Sequence, residues 1–85
     1  MSIKKFTMKT MTSKQLGGAC DKTFQAETFE EMIAMHQEYV RAMIEAQDEA
    51  HIKAMEDMKV LMSSPEAMQA WFESKRREFE ALPED

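Results

Sequence analysis

Apolar positions along this chain follow two rhythms, and the change between them falls near residue 27. Residues 4–11 alternate weakly: Phe6 and Met8 fall on one face, and Lys5, Thr7 and Lys9 on the other, as in a short strand. A polar connection over 12–19 follows, with Gly17-Gly18 as its turn. Lys22-Thr23-Phe24-Gln25-Ala26 then reads as a second strand, with Phe24 inward beside Cys20 and Ala26. Two short strands are marginal alone and need a helix over their apolar face.

From residue 28 the period becomes helical. Thr28-Phe29-Glu30-Glu31 has the spacing of a capping box, in which the Thr28 hydroxyl accepts from the Glu31 amide and Glu31 reaches back to the Thr28 amide. Phe29, Met32, Ile33, His36, Val40, Met43 and Ile44 form one stripe at three- and four-residue steps. No glycine or proline interrupts the chain from Phe29 to Met62. The stripe thins at Ala46-Gln47-Asp48-Glu49 and resumes with His51, Ala54, Met55, Met58, Leu61 and Met62. Either one long helix runs through, or Asp48 caps a second one. Ser64-Pro65 supplies an N-cap and a first-turn proline, which opens a last helix with Met68, Phe72, Lys75, Phe79 and Leu82 on one side and Trp71 beside them.

The pattern predicts one small α+β domain over 1–85, mainly helical. A two-stranded hairpin over 4–26 packs on a helix or helix pair over 28–62. A helix over 65–82 folds back antiparallel, because short links join neighbouring antiparallel helices. An 85-residue chain buries only about 60–65% of its unfolded surface, so it has one thin core and little room for an enclosed active site.

Charge is uneven. The first twenty residues hold Lys4, Lys5, Lys9 and Lys14 and no acid; the rest carry −9, giving a net charge of −5. The acidic total argues against nucleic acid as a partner. The lysines suit an exposed strand edge that must not pair with other chains. No apolar run reaches the roughly 18 residues of a membrane span, and no apolar stretch of a secretory signal follows the first lysines. A single cysteine fits a reducing, cytoplasmic setting.

Candidate chemistry is sparse. Glycine-rich phosphate loops, paired Cys-x-x-Cys units and His-Glu-x-x-His zinc helices are missing from the sequence. Cys20 is a candidate nucleophile, but Asp21 beside it disfavours a thiolate, and it precedes a strand rather than a helix. His36 and His51 lie about 22 Å apart if one straight helix carries both, too far to share a metal; they approach only if the helix breaks near Gln47-Asp48 and folds back. Asp48 and His51 share a helical face, but one such unit is half of what a di-iron bundle needs. Ten methionines in 85 residues exceed ordinary packing needs, and flexible thioethers also make adaptable binding surfaces.

Between about Met8 and Tyr39 the chain resembles a family of short prokaryotic proteins described as predicted small metal-binding proteins. The matching residues are Leu16-Gly17-Gly18, Cys20-Asp21, Phe24 and Thr28-x-Glu30-Glu31. Ser13 stands where that pattern has its first cysteine. Tyr39 stands where it has its first helical histidine, with His36 one turn earlier. The resemblance implies the same hairpin-and-helix fold. It also implies zinc or another transition metal held by Cys20 with His36 or Asp21.

Three functions follow as expectations. The first is a non-enzymatic binding module, without a cofactor, whose Met-rich helical surface around Met43, Met55, Met58 and Trp71 meets a protein partner or a second copy in a homodimer. The second is the small metal-binding protein just described. The third is thiol redox chemistry at Cys20.

Overall fold

The computed structural model describes residues 8–85, so the expectations for residues 4–7, Phe6 among them, lie outside the described part. Strand β1 (Lys9–Thr12) pairs antiparallel with β2 (Thr23–Ala26), with Met11 opposite Phe24 and Lys9 opposite Ala26. Helices α1 (Phe29–Glu45), α2 (Glu49–Leu61) and α3 (Pro65–Ala81) follow. The architecture is α+β and mainly helical, as the periodicity predicts. No helix among the described residues is long and apolar enough to cross a membrane.

The hairpin differs from the expected one in two respects. Its inward face carries Met11 and then Ser13, so the odd positions point to the core and Met8 is only half-buried. Its connection is also not a simple two-glycine turn. A 3-10 turn over Lys14–Leu16 ends at Gly17, whose φ of 94° is left-handed backbone that glycine adopts without steric cost. Cys20 lies in this connection rather than in a strand.

The long-helix question resolves as a break. Gln47 takes a left-handed φ of 62°, and the Asp48 side chain accepts from the His51 amide at 3.0 Å, starting α2 afresh. Thr28 caps α1 by accepting from the Glu31 amide at 3.1 Å. The expected return bond is replaced: the Thr28 hydroxyl donates to Glu31 Oε1 at 3.0 Å. Ser64 accepts from the Ala67 amide at 3.1 Å and opens α3.

Met11, Leu16, Phe24, Ala26, Phe29, Met32 and Phe79 form the core, with Ile33, Tyr39, Phe72 and Leu82 packed at its margin. The end of α3 lies on the start of α1: Phe79 meets the Phe29 ring at 6.0 Å, and Arg76 pairs with Glu30. Beyond α3 the chain returns to the hairpin, where the Asp85 amide donates to the Met8 carbonyl at 2.8 Å. Lys9 is more than an edge guard, because its Nζ donates to the Glu80 carbonyl at 2.9 Å and sits over the Phe79 ring.

The core occupies only the hairpin end of the helices. Of the methionines, Met11 and Met32 are fully buried, while Met35 and Met68 are exposed. The two apolar seams do not close on each other along their whole length, and the site lies in the gap that remains.

Candidate functional site

Two features adjoin between the hairpin loop and the helices: a buried polar centre and an apolar cleft. The polar centre grows from the loop. Ser13, wholly buried, donates its amide to the Lys22 carbonyl at 2.8 Å and accepts the Gly18 amide at 2.7 Å. The loop is thereby folded onto α1, where Ser13 Oγ and His36 Nε2 share a hydrogen bond of 2.9 Å. A Cβ on Gly18 would fall 2.0 Å from Ser13 Oγ and 2.7 Å from His36 Nε2, so only glycine allows the loop to approach so closely.

His36 is buried, and burial, helped by the neighbouring His51, holds its pKa down to about 4. The ring is therefore neutral near pH 7. Next along α1, Tyr39 OH lies 3.0 Å from Cys20 Sγ. This bond draws the Cys20 thiol below its ordinary pKa; the Lys22 backbone, Ser13 and His51 act in the same sense, against a partial rise from burial. Tyr39 moves the opposite way, pushed up to about 12 by the same bond to Cys20.

His51 completes the centre from α2. Its ring is 2% exposed and stands edge-on to Tyr39, with centroids 5.4 Å apart. Its Nδ1 lies 2.6 Å from Asp48 Oδ2, and that imidazole lowers the Asp48 carboxyl below the usual range. In the neutral ring this bond fixes the proton on Nδ1 and leaves a lone pair on Nε2. That Nε2 is a buried side-chain atom without a hydrogen-bond partner.

The cleft opens beside this centre, with a volume of about 450 Å3. Helix α1 contributes Ile33, Val40 and Ile44; α2 contributes Ala54, Met55 and Met58; α3 contributes Trp71 and Phe72. His36 and His51 line it as well, with exposed Gln37, Arg41 and Glu45 at its edge. Gly17 lies against it too: a Cβ there would come within 3.1 Å of Met58 Sδ and 3.3 Å of Trp71.

Of the expected interaction residues, Met55, Met58 and Trp71 line the cleft together, whereas Met43 is half-buried and takes no part in it. Of the expected metal ligands, Cys20 and His36 both belong to the polar centre, but their partners there are Tyr39 and Ser13. Asp21 is exposed and pairs with Lys14 at 3.5 Å. Among the described residues no three His, Cys, Asp or Glu side chains are grouped closely enough to hold a metal ion. The residue that sequence reasoning undervalues is His51. Its approach to His36 depends on the helix break at Gln47, and the thinning of the stripe at 46–49 with the Asp48-x-x-His51 spacing is the signal for it in the sequence. Comparisons with protein-family models, characterised proteins and solved structures return no match.

Proposed function

We propose that this chain is a non-enzymatic binding module that takes a small, mainly apolar molecule into the cleft between its three helices. The observation carrying this reading is the cleft itself. Its volume falls in the range of small-molecule sites, its walls are mostly apolar, and a few polar groups converge at one end. Flexible methionine walls adapt to more than one ligand shape. A reducing compartment such as the cytoplasm would keep the adjoining Cys20 a free thiol.

Trp71 is the only tryptophan and lines the cleft, so it reports occupancy. Titration with the neutral dye N-phenyl-1-naphthylamine is expected to saturate at one site with a dissociation constant near 10 μM, about −7 kcal/mol, and to quench Trp71 by energy transfer. Ala54→Phe, which fills the cleft from α2, is expected to abolish this signal while leaving the far-UV circular dichroism unchanged. Unsaturable binding, or equal binding by the filled variant, removes the proposal.

A second reading is a metal-binding protein, and the Asp48–His51 pair favours it. Metal-ligating histidines commonly donate their other ring nitrogen to a carboxylate in this way, and Cys20 with its lowered pKa stands beside them. A closed site would also need His36 to release Ser13. Zinc titration of the unmodified chain against a chromogenic chelator is expected to show binding at about 10 μM or tighter, roughly −7 kcal/mol; weaker binding ends this reading.

A further inference from the structure

We infer that the ligand of the cleft is an un-ionised molecule with an apolar body and one hydroxyl, a phenol or a medium-chain alcohol, whose O–H donates to His51 Nε2. This inference rests on the cleft being the binding site and specifies what the cleft selects.

Four observations converge on this class. His51 lines the cleft, is 2% exposed, and has its Nε2 without a hydrogen-bond partner. Buried polar atoms are ordinarily satisfied, so an orphan in a binding cleft marks the place where a ligand supplies the missing partner. In the neutral ring, the bond to Asp48 Oδ2 at 2.6 Å places the proton on Nδ1, because a carboxylate only accepts. With the proton on Nδ1, Nε2 accepts, so the ligand must donate. Neither neighbouring group takes that place: His36 Nε2 is already bonded to Ser13, and the Cys20 thiol, although His51 draws it down, makes its hydrogen bond with Tyr39 and leaves Nε2 without a partner.

Charge narrows the class further. An anion at Nε2 would present its negative oxygen to a lone pair, with the Asp48 carboxylate immediately behind the ring, and the one cation of the lining among the described residues, Arg41, lies at the exposed edge of the cleft. A cation would lose its hydration among walls of Val40, Ile44, Met55 and Met58 with no buried counter-charge to replace it. A neutral hydroxyl loses least on entry and satisfies Nε2. The volume, about 450 Å3, equals that of about fifteen liquid water molecules at about 30 Å3 each, room for a body of one or two rings or a medium-length alkyl chain. A second copy of the chain is the competing occupant. It would cover the mouth with side chains but bring no defined donor to an atom held this deep.

The test uses three probes of nearly equal shape on the intact chain, read by Trp71 fluorescence excited beyond the phenol band. These are 4-propylphenol, which donates; 4-propylanisole, which only accepts; and propylbenzene, which does neither. The phenol is expected to bind about tenfold tighter than the anisole, the gain typical of satisfying a buried acceptor. In His51→Phe, with circular dichroism confirming the fold, the three are expected to bind alike. If that variant does not fold, the phenol-to-anisole ratio in the unmodified chain decides alone. Equal binding of all three probes overturns the inference while leaving the dye result, and hence the cleft as a site, intact. No binding by any probe overturns it too, and loss of dye binding as well removes the cleft reading itself. A Trp71 signal that depends on protein concentration alone, matched by dimer formation in light scattering, assigns the cleft to a second copy and also overturns it.

Discussion

Lowering the pH from 7 to 4 is expected to destabilise this fold by roughly 3 kcal/mol through His36 alone. The sign follows from where the proton binds more readily. In the unfolded chain His36 has its ordinary pKa of 6.5, whereas in the folded chain burial, with His51 close by, holds it to about 4. Above 6.5 the ring is neutral in both states, and this contribution is fully present. Between 6.5 and 4 the unfolded chain gains a proton that the folded chain refuses, so stability falls as the pH falls. Below about 4 both states are protonated and the loss levels off. The Asp48 carboxyl, lowered by its bonds to His51, adds a loss of the same sign, but only as the pH nears its ordinary value of 3.8. The two windows are therefore separable. Urea denaturation at half-unit steps from pH 7 to 4 measures the slope, and His36→Gln, which keeps a polar partner for Ser13, is expected to flatten it above pH 4.5. A stability curve already flat in the unmodified chain, or one equally steep in the variant, refutes the assignment to His36.

Ser13→Cys is expected to tighten zinc binding at least about 100-fold over the unmodified chain, roughly 2.7 kcal/mol. Positions 13, 20, 36 and 51 are linked in a ring of neighbours. Ser13 is bonded to His36, both Ser13 and His51 draw down the Cys20 thiol, and His51 depresses His36. Three of the four carry zinc donors. The fourth carries an alcohol, which does not ionise near neutral pH and is not among the usual zinc ligands. Exchanging that oxygen for sulfur supplies the fourth member of a Cys2His2 set, the composition of closed structural sites, whose side chains draw together only on binding the ion. The histidines are suitably prepared: His36 is neutral at pH 7, and His51 is braced by Asp48 through its other nitrogen. Cobalt(II) gives the sharper readout, with a thiolate-to-metal absorption band and tetrahedral d–d bands expected only in the substituted chain. Ser13→Ala, which loses the His36 bond without adding a donor, serves as the comparison. Unchanged affinity and no tetrahedral spectrum would mean that the four positions do not converge on one ion.

These two results concern residues whose proximity arises from the fold. Ser13 and His36 are 23 positions apart, and Gly18 matters because it lets Ser13 approach α1. Cys20 and Tyr39 are 19 positions apart. Nothing in a one-dimensional pattern says which histidine a loop serine will reach, and the expected pairing of Cys20 with His36 names two members of the centre without their actual partners. The Met-rich surface is legible in part. Met55, Met58 and Trp71 meet around one cleft because α2 and α3 both face α1. Met43 shares the α1 stripe but falls outside the cleft, since residues Val40 and Ile44 supply that face.

The sequence by itself determined what local chemistry controls. Thr28, Asp48 and Ser64 are short polar side chains that satisfy the free amides of a helix start, and each begins a helix where its spacing predicts. Alternation and three-to-four-residue steps likewise determined which stretches are strand and which helix. Tertiary structure decided whether the apolar stripes would meet. The left-handed backbone at Gln47 turns α2 away from the line of α1, and α3 anchors at its far end through Phe79 and Arg76. The stripes therefore close over the hairpin and part above it. A core residue and a cleft-lining residue look identical in sequence, because both are apolar at helical spacing; only the relative placement of the three helices separates them.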